Sequence, residues 1–511
     1  MMNSIDANPY FETGDWLVIA VYLVGIVGLG LWFGKDQKST RDYFLGSRNI
    51  PWWGIGFSIV AAETSALTII GVPAIAYGNN LTFIQMIIGY IIARIILAVL
   101  LVPHYFSGEI YSPYQLFANA FGPAVRKTAA GFFLVSETIA GGFRVYVACI
   151  PIQLMFGIKI IPAIVLFVFL SLLYTYFGGV KAVIWTDAVQ FLLFMAGGIF
   201  TLLYIPQQFD GGFPEVFSRA AHDGKLVWLN TKFSWALASD GGFNLWMGII
   251  GGTVMVMSSH GAEQLIVQRV LACKTVADGR KALVLSAVII LPLFLVFLLV
   301  GAMLWVYYRQ LPMAIPIPEP RPGVKPNDYV YPIFMLTAVP NILKGFLIVA
   351  ILSAAMSSAS SALTSLASVS TMDFLKGHGG KAHAEEFYLR FSRYSTAWWG
   401  LLLSLVAFAA SQRVNFVLNA AFSLRGLTSG ALLGGLLLAV VWKKGRALPV
   451  VFGMVTSLAV MTCITAFWKT LIGWPWYTLI GTAVTALVAL LARELLPKEN
   501  SASGTAHLPV K

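Results

Sequence analysis

The chain has 511 residues, of which 58% are apolar and only 11% are charged. This composition excludes a soluble multidomain protein and indicates an integral membrane protein, so we expect the lipid bilayer as a partner. The net charge of +12 reflects an uneven distribution of Lys and Arg between loops. No compact basic domain is present to hold a nucleic acid, and we expect no nucleic-acid partner.

Apolar segments of about 20 or more residues recur along almost the whole length. The alternating pattern of barrel strands is absent, so helices must satisfy the backbone within the membrane. We therefore predict an all-α polytopic membrane protein. Its expected spans, about thirteen in number, are 15–34, 52–78, 81–106, 124–156, 158–177, 180–204, 243–260, 280–308, 341–375, 389–411, 414–441, 446–468 and 474–494.

Lys and Arg are concentrated in alternate connections between these spans. One set of loops holds clusters such as Lys35 to Arg48 and Lys443 to Arg446, whereas the opposite set carries fewer although it includes the two longest loops, 205–242 and 309–340. By the positive-inside rule, the N-terminus lies outside and the C-terminus in the cytoplasm, as an odd number of spans requires. We expect a multi-pass protein of the plasma (inner) membrane.

Two of the spans look interrupted. The second carries Glu63, Thr64 and Ser65 at its middle with Gly71 and Pro73 beyond, and the seventh carries "GGTVMVMSSHGAEQ". If five-span blocks repeat, the second span corresponds to the seventh. Paired broken helices in matching positions indicate a transporter built from two inverted repeats, with its binding site where the helices break.

Ionisable residues within the spans are costly and usually face a cavity or a partner. Several lie within the hydrocarbon core of the expected spans: Glu63, Arg94, Glu137, Arg144, Asp187 and Arg425. Three acids and three arginines could simply neutralise one another in pairs, and Glu137 and Arg144, seven residues apart, share a helix face. Glu63 differs because it sits in the broken span, and there we favour a role in the site.

The ninth span contains the run "SAAMSSASSALTS". Small residues let membrane helices approach closely, and their hydroxyls can bond to carbonyls one turn earlier. Packing alone explains less well the four hydroxyls at Ser357, Ser358, Ser360 and Ser361, which surround more than one helix face. Hydroxyls, loose carbonyls and one acid, Asp187, would suit a sodium ion.

Several segments in order resemble the signature segments of a known family: "RNIPWWGIGFSIVAAETSA", "GGVKAVIWTDAVQ", "EQLIVQRVLACK", "SAAMSSASSALTSLASVSTMDF" and "GLTSGALLGGLLLAVVWKK". They are similar to those of the sodium:solute symporters, which include sodium–glucose and bacterial sialic acid and proline transporters. The resemblance implies a leucine-transporter-like (LeuT-like) core of two inverted five-helix repeats preceded by one extra helix. The expected division is 1–40 for the extra helix, 41–204 for the first repeat (spans 2–6), 205–242 for an extracellular loop, 243–445 for the second repeat (spans 7–11), 446–496 for two C-terminal helices and 497–511 for a cytoplasmic tail.

The same resemblance implies the sodium ligands. A first site would use backbone oxygens of Ala61 and Thr64, the carbonyl of Ala354, and the hydroxyls of Ser357 and Ser358. A possible second site, found in members similar to the sialic acid transporters, maps onto Asp187, Ser357, Ser360 and Ser361. This sequence keeps all of those positions.

The substrate pocket of the family carries over less well. Galactose-type members have a Glu-Gln pair where this chain has Leu67 and Thr68, a gating Tyr where it has Ser259, and a Gln where it has Phe422. Arg144 lies in the same span as the carboxylate-binding Arg of the sialic acid members. The candidate substrate-binding residues are Glu63, Ser65, Thr68, Arg144, Ser259 and Phe422.

These observations predict a secondary active transporter that couples sodium to the uptake of a small polar organic solute by alternating access. We favour an anionic sugar or carboxylate over a neutral sugar or polyol. One alternative is a proton-coupled symporter that uses Glu63 or Asp187. Another is a membrane-embedded enzyme acting on lipid-linked sugars, but the outer loops lack a cluster of acids and histidines. His260 stands alone near a helix break, where we expect a structural role at the cytoplasmic end and not catalysis.

Overall fold

The computed structural model describes residues 10–34, 38–108, 110–156, 158–237, 242–317, 327–376, 384–411, 417–442 and 445–495. Within these ranges every regular element is helical. The α-helices are α1 (Thr13–Phe33), α2 (Thr40–Leu45), α3 (Trp52–Glu63), α4 (Ala66–Gly78), α5 (Ile84–Leu100), α6 (Val102–Tyr105), α7 (Tyr114–Phe121), α8 (Pro123–Phe156), α9 (Ile160–Tyr204), α10 (Gly212–His222), α11 (Thr253–Gly261), α12 (Gln264–Leu271), α13 (Val276–Gln310), α14 (Val330–Thr337), α15 (Leu343–Val369), α16 (Glu385–Ser411), α17 (Val417–Trp442), α18 (Ala447–Phe467) and α19 (Tyr477–Leu495).

Ten helices of the described ranges are long and apolar enough to cross a membrane, and the bent pair α3 and α4 makes eleven when it counts as one span. The prediction of thirteen spans differs from this count at two places. The 45 residues of α9 cover two predicted spans, 158–177 and 180–204. Predicted span 243–260 falls on a π-helical segment, Met247–Gly252, and the nine residues of α11. The number thirteen therefore stays a prediction.

The backbone of α9 leaves helical geometry at Gly179, where φ is 54° and ψ is −158°. Only glycine adopts that conformation at low cost, and a Cβ there would lie 2.5 Å from the carbonyl oxygen of Tyr43. The segments before and after Gly179 are about 28 and 38 Å long at 1.5 Å per residue. Each is about as long as the hydrocarbon core is thick, which explains why the sequence pattern predicts two spans here.

The second predicted span is broken as expected. Helices α3 and α4 meet at an angle of 62°, because Thr64 takes an extended conformation with φ −84° and ψ 100°. Ser65 then caps α4, and its backbone N–H donates to the hydroxyl of Thr68 at 3.4 Å. Pro73 stands inside α4 without an N–H to donate.

The predicted seventh span is also interrupted. Helix α11 follows the π-helical segment and ends at Gly261, and α12 begins at Gln264. Between them Glu263 is extended, with φ −102° and ψ 132°. This second break brings Glu263 and the end of α11 to the same region as the first.

Helix α15, which carries the serine run, lies at the centre of the bundle. In the apolar stretch with which it crosses the membrane, 94% of the residues are buried, against 17% in the corresponding stretch of α1. It packs most extensively against α9 and also contacts α1, α8, α16 and both halves of the broken span, α3 and α4. Its hydroxyl residues from Ser353 to Ser368 are all buried. The hydroxyls therefore face other helices and not lipid.

Candidate functional site

A partly open cavity lies beside the break between α3 and α4. Its wall takes residues from both halves of the broken span, from α5, α8 and α11, from the second break and from α17. Five of the six predicted substrate-binding residues line it: Glu63, Ser65, Thr68, Arg144 and Ser259. The side chain of the sixth, Phe422, lies outside the described residues.

One side of the cavity is a network around Glu63. The Nη2 of Arg94 donates to Oε2 of Glu63 and lies 3.1 Å from Nε2 of His260. The other ring nitrogen of His260 is 2.8 Å from the hydroxyl of Ser259. Arg94 is completely buried, whereas 16% of the Glu63 side chain is exposed. Arg94 therefore neutralises the charge of Glu63 from inside the helix bundle, and part of the Glu63 side chain is exposed to the cavity.

His260 lies in the last turn of α11, beside the second break, as expected. The expectation that it stands alone was wrong, because it lines the cavity and its Nε2 lies 3.6 Å from Oε2 of Glu63. The sequence did not reveal its partners, because Glu63 and Arg94 belong to other helices.

Two further acid–arginine pairs lie at the cavity. The Nη2 of Arg144 donates to Oε1 of Glu137, seven residues earlier on the same helix, so the pair expected from their spacing is present. Arg425 donates from Nε to Oε1 of Glu263 at 3.1 Å and from Nη2 to Oε2. Arg425 had no assigned role, and Glu263 was missed altogether although it stands in the quoted segment "SSHGAEQ".

The residues of the expected first sodium site lie on two elements that pack against each other, the broken span and α15. Ala61, Thr64, Ala354 and Ser357 are completely buried, and Ser358 is 2% exposed. The hydroxyl of Ser358 donates to the carbonyl of Ala354 at 3.1 Å, which leaves its own lone pairs to bind a cation. Among the described residues, the buried hydroxyl of Thr64 has no hydrogen-bond partner. Buried hydroxyl and carbonyl oxygens of this kind are ligand types that suit a sodium ion.

The residues of the possible second site surround Asp187 on α9. Its Oδ1 accepts from the hydroxyl of Ser357 at 2.6 Å. The hydroxyls of Ser360 and Ser361 donate to the carbonyl of Ser357 at 3.0 and 2.6 Å. All four predicted residues therefore belong to one hydrogen-bonded cluster.

Asp187 has two partners that the sequence did not reveal. Its Oδ2 accepts from Nη2 of Arg269 at 2.8 Å and from the hydroxyl of Ser58 at 2.5 Å. Arg269 also donates to the hydroxyls of Ser58 and Ser361. The carboxylate thus has one oxygen toward the serines of α15 and the other toward a buried guanidinium. The only sequence signal for Arg269 was its place in the family-like segment "EQLIVQRVLACK".

Comparison with known proteins identifies the chain's family. A model of the sodium:solute symporter family matches residues 43–456. The chain is 29% identical over 451 residues to the sodium/sialic acid symporter SiaT of Proteus mirabilis, with 87% of this chain and 88% of that protein covered. It is 28% identical over 487 residues to the sodium/sialic acid symporter NanT of Aliivibrio fischeri, with coverage of 94% and 93%.

The fold agrees with this relationship. A solved structure of a Na⁺-coupled sialic acid symporter, in a substrate-bound outward-open state, superposes with a TM-score of 0.86 at 26% sequence identity and covers 95% of this chain and 98% of that one. The match supports a LeuT-like helical transporter fold. The protein is a multi-pass membrane transporter that uses sodium ions and is not an enzyme, and the chain belongs to the sodium:solute symporter family.

Proposed function

We propose that the protein uses the sodium gradient to carry a small anionic solute, a sugar acid or another carboxylate, into the cell. One observation carries the proposal. The cavity and the proposed sodium site share a single unwound segment: Glu63 and Ser65 line the cavity, and Thr64 between them is completely buried, with a hydroxyl that has no partner among the described residues. A cation that orders Thr64 therefore also fixes the two residues that meet the solute.

The proposed cycle is alternating access. Sodium enters from outside and draws the broken span onto Ser357 and Ser358, which makes the cavity competent for the solute. The unit that contains both broken spans then rocks against its neighbours, and ion and solute leave to the cytoplasm. Each sodium ion that crosses 100 mV contributes about 2.3 kcal/mol, or roughly fiftyfold accumulation.

This cycle rests on the architecture expected from the sequence. The two inverted repeats are 41–204 and 243–445, the N-terminus is outside, and the C-terminus is in the cytoplasm of a cell whose plasma (inner) membrane holds the protein. The two helix breaks, at Thr64 and at Glu263, support this arrangement because they fall in corresponding positions of the two halves.

We also propose a second, weaker sodium site at Asp187, Ser357, Ser360 and Ser361. Oδ1 of Asp187 and the serine hydroxyls supply the oxygens. The guanidinium of Arg269 at Oδ2 already offsets the carboxylate charge, so the electrostatic attraction for a cation is smaller than an unpaired acid would give.

An anionic solute is favoured over a neutral sugar or polyol by two observations. The curated relatives include sialic acid symporters, and sialic acid carries a carboxylate. Arg144 lines the cavity and offers the donor geometry that binds carboxylates. The neutral sugar or polyol remains the second candidate, because Ser65, Thr68 and Ser259 supply hydroxyls suited to it.

Proton coupling through Glu63 or Asp187 is the less favoured mechanism. Each of these acids pairs with a buried arginine, Arg94 or Arg269. Protonation of either acid would leave a buried guanidinium without its counter-charge, which is costly.

Uptake into vesicles that contain the purified protein separates these mechanisms. We expect a sodium gradient at fixed pH to drive accumulation of a labelled acidic sugar without chemical conversion, and a pH step without sodium to drive none. Accumulation driven by the pH step alone would contradict sodium coupling.

A further inference from the structure

The three acid–arginine pairs at the cavity differ in which partner, the acid or the arginine, is the more exposed. In the pair of Arg425 with Glu263, 29% of the arginine side chain is exposed against 6% of the acid. In the pair of Arg144 with Glu137 the values are 13% and 3%. The pair at Glu63 is reversed, since there the acid is exposed and the arginine buried. The cavity surface therefore has a cationic part and an anionic part although the paired charges balance.

Arg425 is the more exposed of the two cavity-lining arginines, and its contacts leave one edge for a ligand. Among the described residues, its hydrogen bonds run from Nε and Nη2 to the two oxygens of Glu263. A guanidinium has five N–H donors in a fixed fork. The edge formed by Nη1 and Nη2 therefore keeps donors that match the two oxygens of a second carboxylate.

We infer that Arg425 binds the carboxylate of the transported solute and sets the transporter's preference for acids over neutral polyols. Glu263 is the positioning residue, because its two oxygens fix the plane of the guanidinium. The exposed carboxylate of Glu63 accepts hydrogen bonds from donor groups at the other end of the solute, such as hydroxyls. The solute class is then a polyhydroxylated monocarboxylate. This inference rests on the proposed function and names its substrate class.

A matched pair of probes tests the inference. D-gluconate and D-glucitol have the same carbon chain and differ in a carboxylate against a CH₂OH group, and N-acetylneuraminic acid and its methyl ester form a second pair. Sodium-dependent binding of each probe is measured by thermal shift and calorimetry on the purified full chain. For the wild type we expect tighter binding of the acid within at least one pair.

Two variants of the Arg425–Glu263 pair test its role in binding the solute carboxylate. Arg425→Lys retains the positive charge and loses the fork. The double variant Arg425→Gln, Glu263→Gln removes both charges, so no buried acid is left alone. Both should retain stabilisation by sodium without solute, which checks that they fold. We expect each to weaken binding of the acid at least about tenfold and to change binding of its neutral partner less than about twofold.

The control is Arg390→Lys, which alters an exposed Arg–Glu pair on α16, where Arg390 contacts Glu386 at 3.2 Å. It should change neither affinity. The role of Arg425 is refuted if both variants of the Arg425–Glu263 pair bind the acid as tightly as the wild type does. It is also refuted if the wild type prefers the neutral probe in both probe pairs. Sodium-coupled symport stands in either case. If sodium affects the binding and vesicle uptake of no solute, the proposed function fails as well.

Discussion

Replacement of Asp187 by Asn tests whether the buried cluster between α3, α9, α12 and α15 is held by its charge pair. Asp187 is completely buried and Arg269 is 2% exposed. The carboxylate accepts three hydrogen bonds, from Ser357 at 2.6 Å, from Ser58 at 2.5 Å and from Arg269 at 2.8 Å. Asn keeps one acceptor oxygen and turns an NH₂ group toward the remaining donors.

The magnitude follows from these contacts. Removal of one partner of a buried ion pair costs about 3–5 kcal/mol because the other charge stays buried. Asp187→Asn should therefore lower the free energy of unfolding by about that amount. The double variant Asp187→Asn, Arg269→Gln removes both charges, and its loss should be about 1–3 kcal/mol, as for hydrogen bonds replaced by weaker ones.

The assay is chemical unfolding of detergent-purified protein without sodium, so that ion binding does not contribute. The expected order of stability is wild type, then the double variant, then Asp187→Asn. If the single variant is as stable as the double variant, Arg269 does not depend on Asp187 for its counter-charge, and the reasoning is refuted.

Three other predictions concern separate parts of the molecule. Thr64→Val removes a buried hydroxyl that has no partner among the described residues, so it should raise stability in sodium-free thermal unfolding by about 1–3 kcal/mol; a loss of stability would contradict this. Gly179→Ala should destabilise the protein by about 1–3 kcal/mol in the same assay, because φ is positive there and the new Cβ meets Tyr43. An unchanged melting temperature would contradict this and would show that the backbone at residue 179 adjusts to the new side chain. Burial lowers the pKa of Lys225, which lies outside the membrane-spanning helices, from 10.5 to about 8. Unfolding therefore takes up a proton between these pH values. The wild type should gain stability relative to Lys225→Met as pH rises from about 8 to 10.5. A stability difference between the two proteins that stays constant over this range would be the contrary result.

The fold could be predicted where a pattern is local. The broken second span follows from Glu63, Thr64 and Ser65 in an apolar segment, and Glu137 pairs with Arg144 because seven residues place them on one helix face. The number of spans was harder to predict. Around Gly179 the chain continues as helix on both sides of a single non-helical residue, and hydropathy alone does not determine whether such a helix counts as one span or two.

The site could be predicted less completely, because its charges pair across long sequence separations. Glu63 and Arg94 are 31 residues apart, Asp187 and Arg269 are 82 apart, and Glu263 and Arg425 are 162 apart. No periodicity in the sequence relates such positions. The tertiary fold alone brings them together.

In the proposed mechanism, sodium at the junction of the broken span and α15 makes the cavity competent, so that ion and solute strengthen each other's binding. The most direct measurement is the affinity of the wild type, Ser358→Ala and the buried control Ser365→Ala for an acidic probe across a range of sodium concentrations at fixed pH. Affinity should rise with sodium in the wild type and the control, and Ser358→Ala should need about tenfold more sodium for the same affinity, since one lost ligand bond is worth about 1 kcal/mol. A solute affinity that does not depend on sodium in the wild type, or a Ser358→Ala curve identical to the wild-type curve, would contradict the proposed mechanism.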